Sequence, residues 1–259
     1  MAIITLTSDW QNDDFYIGAI KGLIYSKCKD VRVIDITHKI DSFKYTQAAF
    51  VLKNVYAYYP EGTIHIVGIN SDPTEEQPAI CLKIKKQYFI GSSNGIFSLM
   101  FSEKPDEIVK IKESDIIKKS SFPELSMFAE TAAILANGGT LSDIGEAYTG
   151  NSRHTQFMPV IDEGFITGNV IYVDSYQNII TNISSDIFSQ VGKNRNFIIT
   201  VKSDSYSIKK LSVGYSEVEI GEMLALFNSL DLLEIAMRNG RVAELLDIKV
   251  NSPVTIKFK

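Results

Sequence analysis

The chain is poor in residues that hold metals or form disulfides. Among its 259 residues there are two cysteines, Cys28 and Cys81, and three histidines, His38, His65 and His154. The cysteines lack metal-ligand spacing and the histidines stand apart, so no metal site is expected. Two isolated thiols read as reduced core residues of a cytoplasmic protein. No apolar run approaches the ~18 residues of a membrane span, and Met1 leads straight into a strand rather than a leader. Neither a membrane partner nor a signal peptide is therefore expected. Positive charge is also short. With 26 Lys and Arg against 31 Asp and Glu, the net charge of −5 argues against a nucleic-acid backbone as partner. What remains is ordinary globular composition, 45% hydrophobic and 22% charged. The length fits one large domain or two unequal ones, at ~100–200 residues each.

The most informative stretch is Ile3 to Gly18. It starts as a short β-branched run, the mark of a strand buried on both faces. It ends as a helix with Ile17, Ile20 and Ile24 at helical spacing, and Gly18 and Gly22 placed to allow close packing on a sheet. Between them lies the acidic loop Asp9-Trp10-Gln11-Asn12-Asp13-Asp14, at a strand's carboxyl end, where open α/β sheets bind ligands. Asp13 and Asp14 have a second reading, as complements to the helix N-terminus. Asp9 comes straight off the strand, before any helix needs a cap. The loop has neither G-x-G-x-x-G nor a Walker lysine, so it suits hydroxyls or an ammonium better than a phosphate.

Strands over 31–38 and 63–70 and a helix over about 46–59 continue a β-α-β-α-β alternation, which implies a mostly parallel sheet with right-handed crossovers. The loop from Ser71 to Pro78 again follows a strand and holds Asp72, Glu75 and Glu76. A hairpin is expected across Lys85-Lys86-Gln87, then a turn that delivers Asn94 to the same rim, a strand at 107–111, and a helix from about Glu124 to a glycine stop at Gly138. Residues 1–150 thus read as an α/β domain and 151–163 as a linker. Residues 164–259 read as a small antiparallel β-barrel domain of short strands without intervening helices.

Three segments, Thr7-Ser8-Asp9 with Asp14 and Lys21-Gly22, then Asp35-Ile36-Thr37-His38, then Val173-Asp174-Ser175-Tyr176-Gln177-Asn178 through Ile183, occur together with Asn228-Ser229 and Leu233-Glu234-Ile235-Ala236. In this order they resemble the S-adenosyl-methionine hydroxide adenosyltransferase family, which includes the fluorinase and chlorinase. The resemblance covers essentially the whole chain. It implies an α/β domain followed by a β-barrel, a homotrimer with the ligand held between neighbouring subunits, and displacement of methionine from the 5′ carbon of S-adenosyl-methionine. By the same resemblance Asp9 binds the ribose hydroxyls, and Asp14 and Asp174 face the methionine ammonium. Phe43 lies over the ribose, Tyr176 and Asn178 hold the adenine, and Ser229 lies near the methionine carboxylate. From the residues alone, Phe43 and Tyr176 have a second reading as core, and Asn178 one as a turn residue.

The catalytic pattern departs from the family's. Its hydroxide-transferring members carry an Asp, an Arg and a His around the attacking water. Here Asn70 takes the aspartate's place by strand register, and Asp72 by its Asp-Pro dipeptide. Gln77 stands nearest the arginine, and Pro123 follows Phe122 where the histidine is expected. Asn70 and Asp72 are the candidate catalytic residues, and no cofactor beyond the substrate is expected. The leading expectation is hydrolysis of S-adenosyl-methionine to adenosine and methionine. The alternatives are a non-catalytic nucleoside-binding protein, or transfer to another nucleophile such as halide.

Overall fold

The computed structural model describes residues 1–11, 14–112, 122, 124–150 and 158–259, apart from the side chain of Asp204. Asp13, Pro123, His154 and residues 151–157 of the expected linker lie outside them. The chain divides into two compact units, Met1–Thr155 and Gln156–Lys259.

The first unit begins β1 (Ala2–Ser8), α1 (Tyr16–Lys27), β2 (Val31–Thr37), α2 (Tyr45–Val55) and β3 (Ile64–Gly68). It continues with β4 (Ala79–Ile84), β5 (Gln87–Ser92), α3 (Ile96–Met100) and β6 (Glu107–Ile111). A π-helical turn (Glu124–Phe128) runs into α4 (Ala129–Ala136), and α5 (Leu141–Ile144) and β7 (Gly145–Ala147) follow. The strands form one mixed sheet in the order β2-β1-β3-β5-β4-β6-β7. β1 is parallel to β2 and β3, and β3 to β5, while the remaining pairs are antiparallel. Alternate residues of the strands feed two cores. Ile4, Leu6 and Ile66 pack with Ile20 and Ile24 of α1 and with Phe128 and Ala132. Val67 and Phe89 pack with Ala48, Ala49 and Leu52 of α2 and Phe97 of α3. Burial on both faces is why these strands read as continuous apolar runs.

Some details differ from the sequence reading. Gly18 and Gly22 are exposed, and a Cβ on either would meet nothing within 4 Å. Ile20 and Ile24, not the glycines, make α1's contact with the sheet. α2 stops at Val55 and tightens into a 3-10 turn over Tyr56–Tyr58. The β4–β5 hairpin turns on Lys85 and Lys86 with φ of +50° and +61°, the left-handed pair of a two-residue turn whose twist matches the strands.

The second unit comprises β8 (Val160–Asp162), β9 (Phe165–Val173), β10 (Ile179–Ser184), α6 (Ser185–Gly192), β11 (Phe197–Val201) and β12 (Ser203–Ile208). It ends with β13 (Met223–Phe227), β14 (Leu232–Met237), α7 (Val242–Leu246) and β15 (Pro253–Phe258). The order is β12-β11-β15-β9-β10-β14-β13, with β8 also on β9. Every paired strand is antiparallel. Leu211, just past β12, bridges to Ala225 in β13, so the two ends of the sheet approach each other and the barrel is nearly closed. Ile166, Ile179, Ile199, Ile235 and Val254 fill it, all fully buried.

Three features correct the expectation of a helix-free barrel behind an unstructured linker. Residues 160–162 are a strand. α6 and α7 interrupt the strands. α6 is capped by Ser184, whose hydroxyl accepts the Ile187 N–H at 3.2 Å, and it packs Ile187, Phe188 and Val191 on the barrel core. Eight residues hold barely two turns, too short for a helical period to stand out from neighbouring strands.

Candidate functional site

In the first unit β1 and β3 end side by side, with Ser8 paired to Gly68, and the Asp9 N–H donates to the Gly68 carbonyl at 3.4 Å. Asp9 is half-buried there. Its Oδ2 accepts the backbone N–H of Phe43 at 2.9 Å. Phe43 is 68% exposed and has φ of +66°, so it is not core. A bulky residue in the left-handed region costs about 1–3 kcal/mol and persists only when its surroundings hold it. The Asp9 carboxylate supplies that hold.

Behind Asp9 runs a polar brace. Ser8 Oγ lies 2.6 Å from His38 Nδ1, His38 Nε2 is 3.2 Å from Asp35 Oδ1, and Lys21 Nζ donates to Asp35 Oδ2 at 2.6 Å. Burial works to raise Asp35, but the hydrogen bond and charge of Lys21, with the His38 ring beside it, outweigh it and leave the carboxyl below its usual range. Although the order is Ser-His-Asp, Ser8 and His38 are buried, which leaves this serine no approach for a substrate. Trp10 closes over the β3 end so tightly that a Cβ on Gly68 would sit 2.2 Å from its ring.

The loop after β3 carries both candidate catalytic residues. Asn70 is exposed with φ of +43°, and Asp72 is exposed, as are Glu75 and Glu76. Asn94 is buried, and its amide is used inside the fold. It donates to the carbonyls of Ile69 at 2.9 Å and Asn70 at 3.4 Å, and its oxygen accepts the Ile96 N–H. Asn94 therefore pins the β3 loop. Asp14 is exposed ahead of α1, whose N-terminus has no side-chain cap among the described residues, so the capping reading finds no support for Asp14.

One acid went unnoticed as a functional group in the sequence. Glu124 reads there only as the start of a helix. Its carboxylate is buried, accepts a hydrogen bond from the Ser71 hydroxyl, and lies near enough to Asp9 and Asp72 to feel their charge. Burial foremost raises its pKa. The Ser71 bond opposes that, and the Asp9 and Asp72 charges add to it. The signal was a glutamate beside an apolar helical run, common enough to pass as a solvated first turn.

In the second unit Asp174 organises the β9–β10 turn. Its Oδ1 accepts the N–H groups of Tyr176 at 2.9 Å and Asn178 at 2.8 Å, and its Oδ2 accepts the Asn178 side-chain amide at 3.0 Å. Asn178 is buried, so its turn role is real. Tyr176 is 76% exposed at the tip and is not core. Ser229 lies on the β13–β14 turn, at a cavity of about 480 Å³ also lined by Tyr215, Asn228 and Glu234. Glu234 is buried and accepts the Tyr215 hydroxyl at 2.6 Å and the Asn228 amide at 3.1 Å. Burial, then this bond to Glu234, pushes the Tyr215 phenol above its usual range.

Fold and site together define an α/β unit with a carboxylate-lined rim at the carboxyl ends of parallel strands, followed by a nearly closed antiparallel barrel with its own cavity. The sequence profile of the SAM hydroxide adenosyltransferase N-terminal domain matches residues 4–145, and that of the C-terminal domain matches residues 168–255. The chain belongs to this family. It is 31% identical to an (R)-S-adenosyl-L-methionine hydrolase of Methanocaldococcus jannaschii, over 99% of this chain and 96% of that one. It is 23% identical to a fluorinase of Actinopolyspora mzabensis, over 98% of this chain and 96% of the other. The crystal structure of an uncharacterized conserved protein from Thermotoga maritima shares the fold with a TM-score of 0.86 at 27% identity, covering 98% of this chain and 99% of that one.

Proposed function

We propose that this protein hydrolyses S-adenosyl-methionine to adenosine and L-methionine by in-line attack of water at the 5′ carbon. The observation that carries the reading is the Asp9–Phe43 pair, a half-buried carboxylate and an exposed aromatic held together at a strand end, within a chain matched along nearly its whole length by named hydrolases. A carboxylate accepts charge-assisted hydrogen bonds from two vicinal hydroxyls, so Asp9 takes the ribose and Phe43 covers it. Tyr176 and the Asn178 amide hold the adenine, Asp14 and Asp174 face the ammonium, and Ser229 receives the methionine carboxylate. The sulfonium makes methionine a neutral leaving group, so much of the acceleration comes from alignment and exclusion of bulk water. No cofactor enters this scheme, and no nucleic acid or membrane takes part.

The ligand-binding residues are spread over both units, which supports a homotrimer that shares its sites between subunits. Cys28 and Cys81 are buried and unpaired, which supports the reducing cytoplasm as its compartment. The retained Asp9 and Asn178 also suit a non-catalytic nucleoside binder, a second reading favoured by the Gln77 and Pro123 substitutions. Separating the products of S-adenosyl-methionine incubated with pure protein decides between them. Adenosine and methionine in equal amounts are expected, and binding without turnover contradicts hydrolysis.

A further inference from the structure

The expected family arrangement around the water is degraded here, yet water attacking carbon still has to lose a proton. Asn70 has no basic group at neutral pH, and Asp72 is exposed on its loop. Glu124 is different. It is 7% exposed, it sits in a π-helical turn rather than a regular helix, and one oxygen is held by the Ser71 hydroxyl. Ser71 is itself fixed, since its carbonyl accepts the Ser92 hydroxyl at 2.8 Å. Single π-turns recur at functional sites. Among the described residues, the groups that bear on Glu124 are acidic or neutral, namely Asp9 from the β1 end and Ser71 and Asp72 from the β3 loop. The cations of neighbouring α1 are engaged elsewhere, Lys21 with Asp35 and Lys27 with Glu130.

We propose that Glu124, positioned by Ser71, is the general base of the reaction. The inference rests on the hydrolase reading. As the water oxygen bonds to the 5′ carbon, the carbon–sulfur bond breaks and its electron pair returns to sulfur, giving neutral methionine. The water proton passes to the Glu124 carboxylate and then to solvent. Substrate cation plus water thus gives adenosine, methionine and one released proton. A base whose pKa is raised by burial, and so lies closer to neutrality, transfers protons more effectively than an exposed carboxylate.

The test compares wild type, Glu124→Gln, Ser71→Ala and Asp72→Asn by turnover and substrate affinity across pH, with circular dichroism as the check of folding. In the wild type kcat rises with pH along one acidic limb. Glu124→Gln lowers kcat by about 10²-fold or more, leaves substrate affinity within a few-fold, and abolishes the limb. Ser71→Ala removes a bond that holds the pKa down, so its limb moves to higher pH, a shift that a purely structural contact would not produce. This second variant carries the test if Glu124→Gln fails to fold. A Glu124→Gln enzyme with wild-type kcat, a limb unmoved in Ser71→Ala, or a limb lost only in Asp72→Asn overturns the proposal while hydrolysis stands. Wild type that forms no adenosine overturns both.

Discussion

Asp9 Oδ2 and the Phe43 backbone N–H meet at 2.9 Å, so one half-buried carboxylate at the end of β1 also fixes the exposed aromatic beside it. Removing that carboxylate takes away two things at once. Asp9→Ala is expected to weaken adenosine binding by about 1.5–3 kcal/mol, the range for hydrogen bonds to a charged group. Phe43→Gly separates the two effects. It keeps the N–H donor and relieves the left-handed φ, so Tm should not fall, while adenosine affinity does. Calorimetry with unchanged affinity in both variants would remove the ribose assignment.

Gly68→Ala should destabilise the first unit. The new Cβ would meet the Trp10 ring at 2.2 Å and 2.8 Å, and overpacking of this kind costs about 1–3 kcal/mol. Trp10 is the single tryptophan of the chain, so its fluorescence reports the displacement directly. A wild-type melting curve with an unshifted emission spectrum would contradict the packing described.

Stability should fall in mild acid through His65. Its ring is fully buried, stacked on Phe89 at 4.6 Å between centroids, with Thr5 Oγ1 at 2.7 Å from Nδ1 and Gln87 Oε1 at 3.2 Å from Nε2. The Gln87 amide nitrogen donates to the Tyr59 carbonyl at 2.8 Å, so its oxygen is left to accept from Nε2–H, and Nδ1 accepts from Thr5. Burial, partly offset by Gln87, lowers the His65 pKa to about 4. The unfolded chain then binds more protons than the folded one between the unfolded value, ~6.5, and about 4. Stability is complete above that window and falls by up to about 3 kcal/mol as pH drops through it. Urea titrations from pH 7 to 4 check this, and His65→Gln should flatten the dependence.

The protein should be a trimer at concentrations where it binds nucleoside, since the proposed ligand residues sit on both units. Light scattering that finds monomer with intact adenosine binding would refute site sharing.

Much of this was legible in the sequence because it depends on local pattern. β-branched runs marked β1, β2 and β3, and Asp9 stood out by coming off a strand before any helix. The exposure of Phe43 and Tyr176 was not legible, because an aromatic in a loop reads the same whether it packs inward or stands in solvent. Asn94 reached the expected rim, but its amide is taken up by the Ile69 and Asn70 carbonyls, a contact set by tertiary approach. Glu124 was missed for a similar reason. Its interest comes from Ser71, 53 residues away, and no periodicity encodes that meeting. α6 and α7 were hidden by their shortness, eight and five residues.

The most direct test of the central claim is to run the reaction in water enriched in oxygen-18 and to locate the label by mass spectrometry. In-line attack at the 5′ carbon predicts adenosine carrying the heavy oxygen in its 5′-hydroxyl and methionine carrying none. Adenosine without label, a 5′-halogenated nucleoside, or intact S-adenosyl-methionine would contradict it.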